Sequence, residues 1–461
     1  MSSAAPAVIV GAGPAGIRAA ETLVRHGLHP ILLDEASAFG GQIYRQAPAN
    51  FQRSGKALYG FEAGRAASVH AAMRAIEDRV DYHTATLVWN AEGGQLDLLQ
   101  GSRTSTLAYS QLIVATGATD RVLPFLGWTT PGVYSLGGAQ VALKFQACSV
   151  GERVVFAGTG PLLYLVAYQY AKAGAKVLAV LDSARLGDQI AALPALLRQP
   201  ALLAKGLYYV AWLRAHGVRL LDGVQPLRAV GQTRVTALEW RDAAGQHSLD
   251  CDAIAFGYGL RSETQLADIL GCRFGFDALQ RAWLPERDGA GRASVSGVYL
   301  AGDGAGILGA DGAEWAGECA ALALLEDRGI ALDPQARARA ALLEKKLAHQ
   351  RRWRVGLERA FPLPTDWAAQ APDDLVICRC EEITAGELRA TVRASGVTEI
   401  NRLKALSRVG MGRCQGRMCS AAAAEILAQC TAQSIEQTGR LRAQAPIKPI
   451  PFALVEPKES A

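Results

Sequence analysis

Four of the nine cysteines lie between residues 378 and 419, as Cys378-Arg-Cys380 and Cys414-Gln-Gly-Arg-Met-Cys419. Four thiolates are a ligand set for a [2Fe–2S] cluster. Structural zinc is the alternative, but its paired cysteines are usually separated by two to four residues, so Cys-x-Cys fits it less well. Gly410, Gly412 and Gly416 leave the second loop free to wrap a cluster and to donate N–H bonds to sulfur. A cluster on four thiolates is anionic. Arg379, Arg413 and Arg417 stand beside the cysteines in sequence, where their charge would offset it and raise its potential. Cys148, Cys251, Cys272, Cys319 and Cys430 are scattered, and an odd total without regular spacing is no disulfide framework.

A second pattern opens the chain. Gly11-Ala-Gly13-Pro14-Ala15-Gly16 follows the apolar run Ala7-Val-Ile-Val10 and starts a helix-compatible segment. Gly11 makes the tight turn, Gly13 lets backbone approach a pyrophosphate, and Gly16 lets helix and strand pack closely. The helix N-terminus then faces the phosphates. Asp34 ends the next strand, where its carboxylate can hold a ribose hydroxyl. FAD and NAD share this fingerprint.

The pattern recurs, altered, after Val154-Val-Phe-Ala157. Gly158-Thr-Gly160-Pro-Leu-Leu163 puts Leu163 where the third glycine belongs, and a branched side chain there is expected to push the helix off the strand. Asp182 falls one residue late for a ribose. NAD(P) binding and a sheet domain with a degraded nucleotide site both remain open.

Around these sites the chain divides as follows: 1–150, the first part of a dinucleotide-binding domain; 151–250, an inserted NAD(P)-like domain; 251–330, the second part of the first domain; 331–372, a basic helical linker; 373–430, the cysteine domain; 431–461, an extended tail with polyproline character. The linker reads as a solvated helix, or as a dock for an acidic partner. The tail reads as a disordered end, or as a segment lying along a neighbouring subunit.

The whole chain agrees with this division. Its 461 residues allow about three domains. Hydrophobic residues make up 50% and charged residues 20%, enough for large cores and against disorder. A net charge of +5 is too weak to imply nucleic acid. Glycines and prolines interrupt the long uncharged stretches, which argues against a membrane span. No secretory signal is visible, so the cytoplasm is the default. The seven histidines are spread out, and only His26 and His29 sit near a motif. No proton-transfer constellation emerges, and no residue is assigned as catalytic.

Two further segments carry a resemblance. Leu112-Ile-Val-Ala115-Thr116-Gly117 and Gly297-Val-Tyr-Leu-Ala-Gly302-Asp303 resemble the strand ends of two-dinucleotide-domain flavoproteins. That resemblance implies an α/β fold with two Rossmann-like domains of the glutathione-reductase type. It gives Asp303 the ribityl chain of FAD, and places Gly40-Gly41-Gln42-Ile43 beside the flavin. For Asp303, the plain alternative is a turn residue capping the helix that starts near Ala305. No cysteine lies between Phe39 and Gln46, and the second unit has no Cys-x-x-Cys, so a disulfide reductase lacks its thiol pair.

Val376-Ile-Cys-Arg-Cys-Glu-Glu382 and Met411-Gly-Arg-Cys-Gln-Gly-Arg-Met-Cys419 resemble the bacterioferritin-associated-ferredoxin-like [2Fe–2S] domain. With Asp34-Glu35-x4-Gly-Gly-Gln-Ile-Tyr-Arg45 and Gly127-Trp-Thr-Thr-Pro-Gly132, the chain is similar almost end to end to the alpha subunits of heteromeric opine oxidases and dehydrogenases. D-hydroxyproline dehydrogenases and hydrogen cyanide synthases have similar subunits.

The resemblance implies a cofactor site through Gly11, Gly13, Pro14, Ala15, Gly16, Asp34, Glu35, Gly41, Gln42, Arg45, Ala115, Thr116, Gly117, Gly302 and Asp303. It implies FAD or another adenine nucleotide there, a [2Fe–2S] cluster on Cys378, Cys380, Cys414 and Cys419, and in some relatives an FMN between subunits. It also implies a D-amino-acid-oxidase-like beta subunit that oxidises the C–N bond, and in some relatives a small ferredoxin-like gamma subunit. The hetero-oligomer would be cytoplasmic, or peripheral to the inner membrane through the complex.

Two other readings stay open. One is a self-sufficient NAD(P)H-dependent ferredoxin- or nitrite-reductase-like enzyme, which Leu163 opposes. The other is a non-catalytic nucleotide-binding regulator with a zinc module.

Overall fold

The computed structural model describes residues 5–48, 50–51 and 53–451. Short apolar runs such as Ala7–Val10 and Gln111–Val114 are buried along their whole length, as strands covered on both faces must be. They form a five-stranded parallel sheet in the order Val298–Leu300, Gln111–Val114, Ala7–Val10, Ile31–Leu33, Asp81–His83. The sheet is therefore completed by a strand nearly two hundred positions downstream of its neighbour, with the inserted unit between them.

That unit is wider than the expected 151–250: its own five-stranded parallel sheet, ordered Arg219–Leu221, Lys176–Asp182, Arg153–Thr159, Ala253–Tyr258, Val133–Ser135, takes in a strand on either side of those bounds, because the buried run Ala253–Tyr258 pairs with Arg153–Thr159 and not with the first sheet. The helices Pro14–Arg25 and Pro161–Lys172 follow the strands Ala7–Val10 and Arg153–Thr159. Both begin with Pro, whose fixed φ and missing N–H suit the first turn.

The Gly309–Asp327 helix crosses Pro14–Arg25 at very close range. A Cβ on Gly317 would lie 1.9 Å from the Ala15 carbonyl oxygen, so only glycine fits the crossing.

The basic stretch is a 27-residue helix, Pro334–Ala360. It is more than a solvated linker. Leu343, Leu347, Gln350, Trp353 and Ala360 are buried, while Arg337, Lys345, Arg351 and Arg352 stay in solvent. Its Arg339 pairs with Glu318, and Gln350 donates to the Leu308 carbonyl.

The cysteine region builds a short antiparallel pair, Val376–Cys378 with Ile383–Thr384, and three helices, Ala385–Ser395, Ile400–Ser407 and Ser420–Thr431. Thr384 and Glu387 form a reciprocal capping box, and Gly396 closes the same helix in the left-handed region at φ 64°. The core of this region is shared. Leu388, Leu403, Ile426 and Leu427 belong to one continuous core with Trp240 and Phe256 of the second unit and with Phe125 and Trp128 just before its sheet begins. Two indoles pin the junction: Trp128 donates to the Val376 carbonyl at 2.7 Å and Trp367 to the Pro124 carbonyl at 2.9 Å.

The tail differs from both expectations. Through residue 451 it lies along its own chain. Leu441 covers Gly410 and Gly416, Ile447 is buried and bonds to the Trp89 carbonyl, and Lys448 pairs with Glu35. Residues 452–461 of the predicted tail lie outside the described residues.

Candidate functional site

The glycine cradle forms around the end of the Ala7–Val10 strand. Gly11 adopts φ 108°, and a Cβ there would lie 2.3 Å from the Ala115 carbonyl oxygen. At Gly16 it would lie 1.8 Å from the Gly11 carbonyl oxygen. Both positions thus exclude a side chain on steric grounds. Gly41, at φ 63°, stacks on Gly13, with 2.8 Å between its added Cβ and the Gly13 Cα. An added Cβ on Gly302 would meet Ala15, and one on Gly304 would meet Thr116. The structure therefore gathers Gly11, Gly13, Pro14, Ala15, Gly16, Gly41, Ala115, Thr116, Gly117 and Gly302 at one end of the first sheet.

The polar members are more varied. Asp34 accepts the Ala12 N–H at 2.5 Å and the Ala36 N–H at 2.7 Å, which orients its carboxylate beside the turn, while burial raises its pKa. Asp303 Oδ1 accepts the N–H groups of Leu308 and Gly309 at 2.7 and 3.0 Å, so one oxygen does the capping work of the plain reading. The helix it leads into starts at Gly309, beyond a short 3-10 turn over Gly302–Ala305. Glu35 points outward to Lys448, and Gln42 is held by Arg45 at 2.8 Å.

Two supports of this loop escape a sequence reading. His70 is buried and donates from Nε2 to the Tyr44 carbonyl at 2.9 Å. Desolvation lowers its pKa, which keeps the ring neutral. Lys144 is 2% exposed, donates to the Ile43 carbonyl at 3.0 Å, and is pushed down to about 8 by burial. The one sequence signal is a lone lysine closing the otherwise uncharged helix Leu136–Lys144. Arg45 Nε, also buried, has no hydrogen-bond partner among the described residues.

In the second unit the cradle is remodelled. Leu163 is fully buried in the core with Phe156 and Tyr170, so the helix starts at Pro161 with the branched side chain accommodated. Asp182 is wholly enclosed. It accepts the Thr159 hydroxyl at 2.7 Å, the Tyr164 hydroxyl at 2.8 Å and the Ala184 N–H at 2.9 Å, and burial raises its pKa to about 6. Those bonds occupy the carboxylate that a ribose would need.

The four thiols of the C-terminal region interact with one another. Cys419 faces Cys378 and Cys414, and Cys414 faces Cys380. The Cys419 thiol, together with backbone N–H groups of Glu381 and Gly410, holds Cys378 down to about 6. Cys419 likewise lowers Cys414 to about 5, with help from the Gly416 and Met418 N–H groups. Cys419 itself is raised by those same two partners. Burial raises Cys380. This donor set, four neighbouring sulfurs with backbone N–H groups beside them, suits an anionic iron–sulfur cluster. Cys419 occupies the N-cap position of the Ser420–Thr431 helix, so its sulfur lies at the positive end of that helix. Among the described residues no three metal-binding side chains converge on one point; a dinuclear cluster asks for two thiolates on each iron.

Glycine fits here for two reasons. Gly410 and Gly416 have φ 82° and 80°, and a Cβ on Gly412 would lie 2.3 Å from the Cys380 Cβ. Of the three arginines, Arg379 is exposed above the Trp128 ring, Arg413 is exposed, and Arg417 turns inward.

Arg417 joins the two sites. Its Nε and Nη2 donate to Glu263 at 2.7 and 3.0 Å, and its Nη1 to the Ile447 carbonyl at 2.7 Å. The Glu263 backbone binds the first cradle directly: its N–H donates to the Gly117 carbonyl at 2.9 Å, and its carbonyl accepts the Thr116 hydroxyl at 2.7 Å. Arg261 reaches the Gly416 and Arg417 carbonyls and Ser420 Oγ, and Gln265 donates to the Gln415 carbonyl. One short segment, 261–265, is a wall shared by both sites.

Comparison with known proteins places this architecture. The family model for pyridine nucleotide-disulphide oxidoreductases matches residues 5–339, and that for the BFD-like [2Fe-2S] binding domain matches 376–429. The A subunit of opine oxidase from Rhizobium meliloti is 34% identical, covering 97% of this chain and 86% of that protein. Hydrogen cyanide synthase subunit HcnB of Pseudomonas protegens is 35% identical, covering 98% and 97%. The chain belongs to the opine oxidase A-type family. It is an oxidoreductase with a dinucleotide-binding flavoprotein fold and a [2Fe–2S] domain. The solved L-proline dehydrogenase of P. horikoshii shares the fold of this opine-oxidase-A-type chain, with a TM-score of 0.70 at 19% identity, over 98% of this chain and 79% of that one. Among the described residues no helix is long and apolar enough to cross a membrane.

Proposed function

We propose that this chain is the electron-transfer alpha subunit of a heteromeric FAD-dependent dehydrogenase or oxidase acting on amino acids, opines or related secondary amines. The C–N bond would be oxidised on a D-amino-acid-oxidase-like beta subunit, and a small ferredoxin-like gamma subunit would complete the assembly. The relatives' names, which designate subunits of opine oxidase and of hydrogen cyanide synthase, support a heteromer. When bound, a flavin (FAD in the first cradle or FMN at the subunit interface) and a [2Fe–2S] cluster on Cys378, Cys380, Cys414 and Cys419 would supply the carriage of electrons, whereas another adenine nucleotide in the first cradle would leave that role to the interface FMN and the cluster.

The chain's own residues bind and position these groups. Gly11, Gly13 and the Pro14–Arg25 helix N-terminus receive a pyrophosphate, and Asp34 stands ready for a ribose. The titratable groups beside the cradle are engaged and not free for proton transfer: Asp34 and Asp303 by backbone N–H groups, and His70 by a carbonyl. The observation that carries the reading is the bidentate Arg417–Glu263 pair, which ties the thiol loop to the Thr116–Gly117 end of the cradle. A relay between two carriers calls for such a fixed junction.

The test is purification of the chain alone and with the D-amino-acid-oxidase-like protein, followed by amine-dependent dye reduction. Turnover is expected only for the complex. Rapid turnover of amines by the isolated chain overturns the proposal, and flavin bleaching by NADH in the isolated chain favours the self-sufficient reductase.

A further inference from the structure

A cavity of 260 Å³ opens where the second sheet meets the end of the Pro334–Ala360 helix. Its walls include Thr159, Gly160 and Pro161 at the start of the Pro161–Lys172 helix, the strand end at Gly259, and Arg121. Gly160 has φ 104°, and a Cβ on it would approach Gly259 at 3.8 Å, so both backbones border the space without side chains. The 12-residue Pro161–Lys172 helix begins at this wall; Pro161 has no N–H and the Leu163 N–H bonds to the Gly160 carbonyl at 3.1 Å, so the helix brings the positive end of its dipole rather than a set of free donors.

Arg121 is the independent observation. It is 8% exposed, and among the described residues its guanidinium makes only a long hydrogen bond, 3.3 Å from Nη2 to the Leu260 carbonyl. Of the acids whose charge acts on it, Glu358, which also lines the cavity, is already paired with Arg354, and Glu425 with Arg281. A desolvated guanidinium with no carboxylate of its own is costly unless an anion joins it. Arg359 adds further positive charge to the rim.

The other half of a dinucleotide site is missing. Asp182 is consumed by Thr159, Tyr164 and Ala184, and Leu163 fills the space of the third glycine. The cavity is also at or below the lower end of ordinary small-ligand pockets, which run from ~300 to ~1,000 Å³. We infer that this pocket holds a single phosphate group, as free phosphate or as the phosphomonoester of a mononucleotide, between Arg121 and the N-terminus of the Pro161–Lys172 helix. It retains the phosphate end of a nucleotide cradle and has lost the adenosine end. The assignment stands apart from the electron-relay reading.

Isothermal titration of the full chain, carrying its cluster and the nucleotide that co-purifies with it, tests this with inorganic phosphate, AMP, FMN and NADH. At least one of the first three binds, and Arg121→Gln weakens it by about tenfold or more, the scale of a lost charge-assisted contact. Leu279→Trp, a partly exposed rim position that can fill the cavity without touching the core, abolishes binding while the co-purifying nucleotide is retained. Equal affinity for phosphate and the mononucleotides marks a free-oxyanion site, and tighter AMP or FMN marks a mononucleotide site; both support the assignment. It is overturned if none of the three binds the wild-type chain, if Leu279→Trp leaves binding intact, or if NADH binds far more tightly than every monoester.

Discussion

Replacing Glu263 by Gln tests whether the wall between the two sites sets the redox behaviour of the thiol loop. In the native chain the Glu263 charge nearly cancels that of Arg417, which also contacts the Cys414 carbonyl at 3.4 Å. The substitution keeps the shape and leaves a full positive charge against the loop. One charge at roughly 8 Å in an effective dielectric of about 20 is worth about 2 kcal/mol. For a one-electron couple that is about 90 mV, and the shift is upward because the reduced, more negative cluster is favoured. The assay is a redox titration followed by electron paramagnetic resonance of the purified chain. The double variant Glu263→Gln/Arg417→Gln removes both charges and should return the potential close to the wild type. No shift or a downward shift in the single variant, or a full shift retained in the double, would refute the argument. The single variant should also lose thermal stability, since breaking a buried pair typically costs about 3–5 kcal/mol.

Three further outcomes are expected. Gly412→Ala brings its Cβ into the Cys380 side chain, so iron and the visible iron–sulfur absorbance fall while bound nucleotide is unchanged; normal iron content would contradict the close approach. Gly317→Ala forces the Gly309–Asp327 helix off Ala15 and should cost at least about 1–3 kcal/mol by denaturant unfolding, with loss of nucleotide from the neighbouring cradle. Lys144, depressed from 10.5 to about 8 by burial, binds its proton less readily folded than unfolded. Stability from this group is therefore present above pH ~10.5 and lost as pH falls through about 8, about 3 kcal/mol in all. Lys144→Met should raise stability at pH 7 and flatten the rise between pH 8 and 10.5 in unfolding titrations; an unchanged slope would show that the lysine is not desolvated.

Both dinucleotide units and the thiol loop were legible in the sequence because each is a local pattern. The strand, glycine turn and helix at Ala7–Arg25 need only neighbouring residues, and so do the spacings of Cys378-x-Cys380 and Cys414-x4-Cys419. What joins them was not legible. Glu263 and Arg417 lie 154 positions apart, and Trp128 and Val376 lie 248 apart. No periodicity encodes such pairings; they follow from packing one core across several segments. Leu163 shows a subtler limit. The missing glycine was evident, but that its side chain would be absorbed into the core, while Tyr164 one position on sealed Asp182, depended on the tertiary surroundings.

The segment 441–448 follows in sequence every element that it fastens. Leu441 sits on the glycines of the thiol loop, Ile447 receives Arg417, and Lys448 clasps Glu35 next to the first cradle. One strip therefore couples the two neighbourhoods: releasing it would uncover Gly410 and Gly416 and take a partner from Arg417 and from Glu35 together.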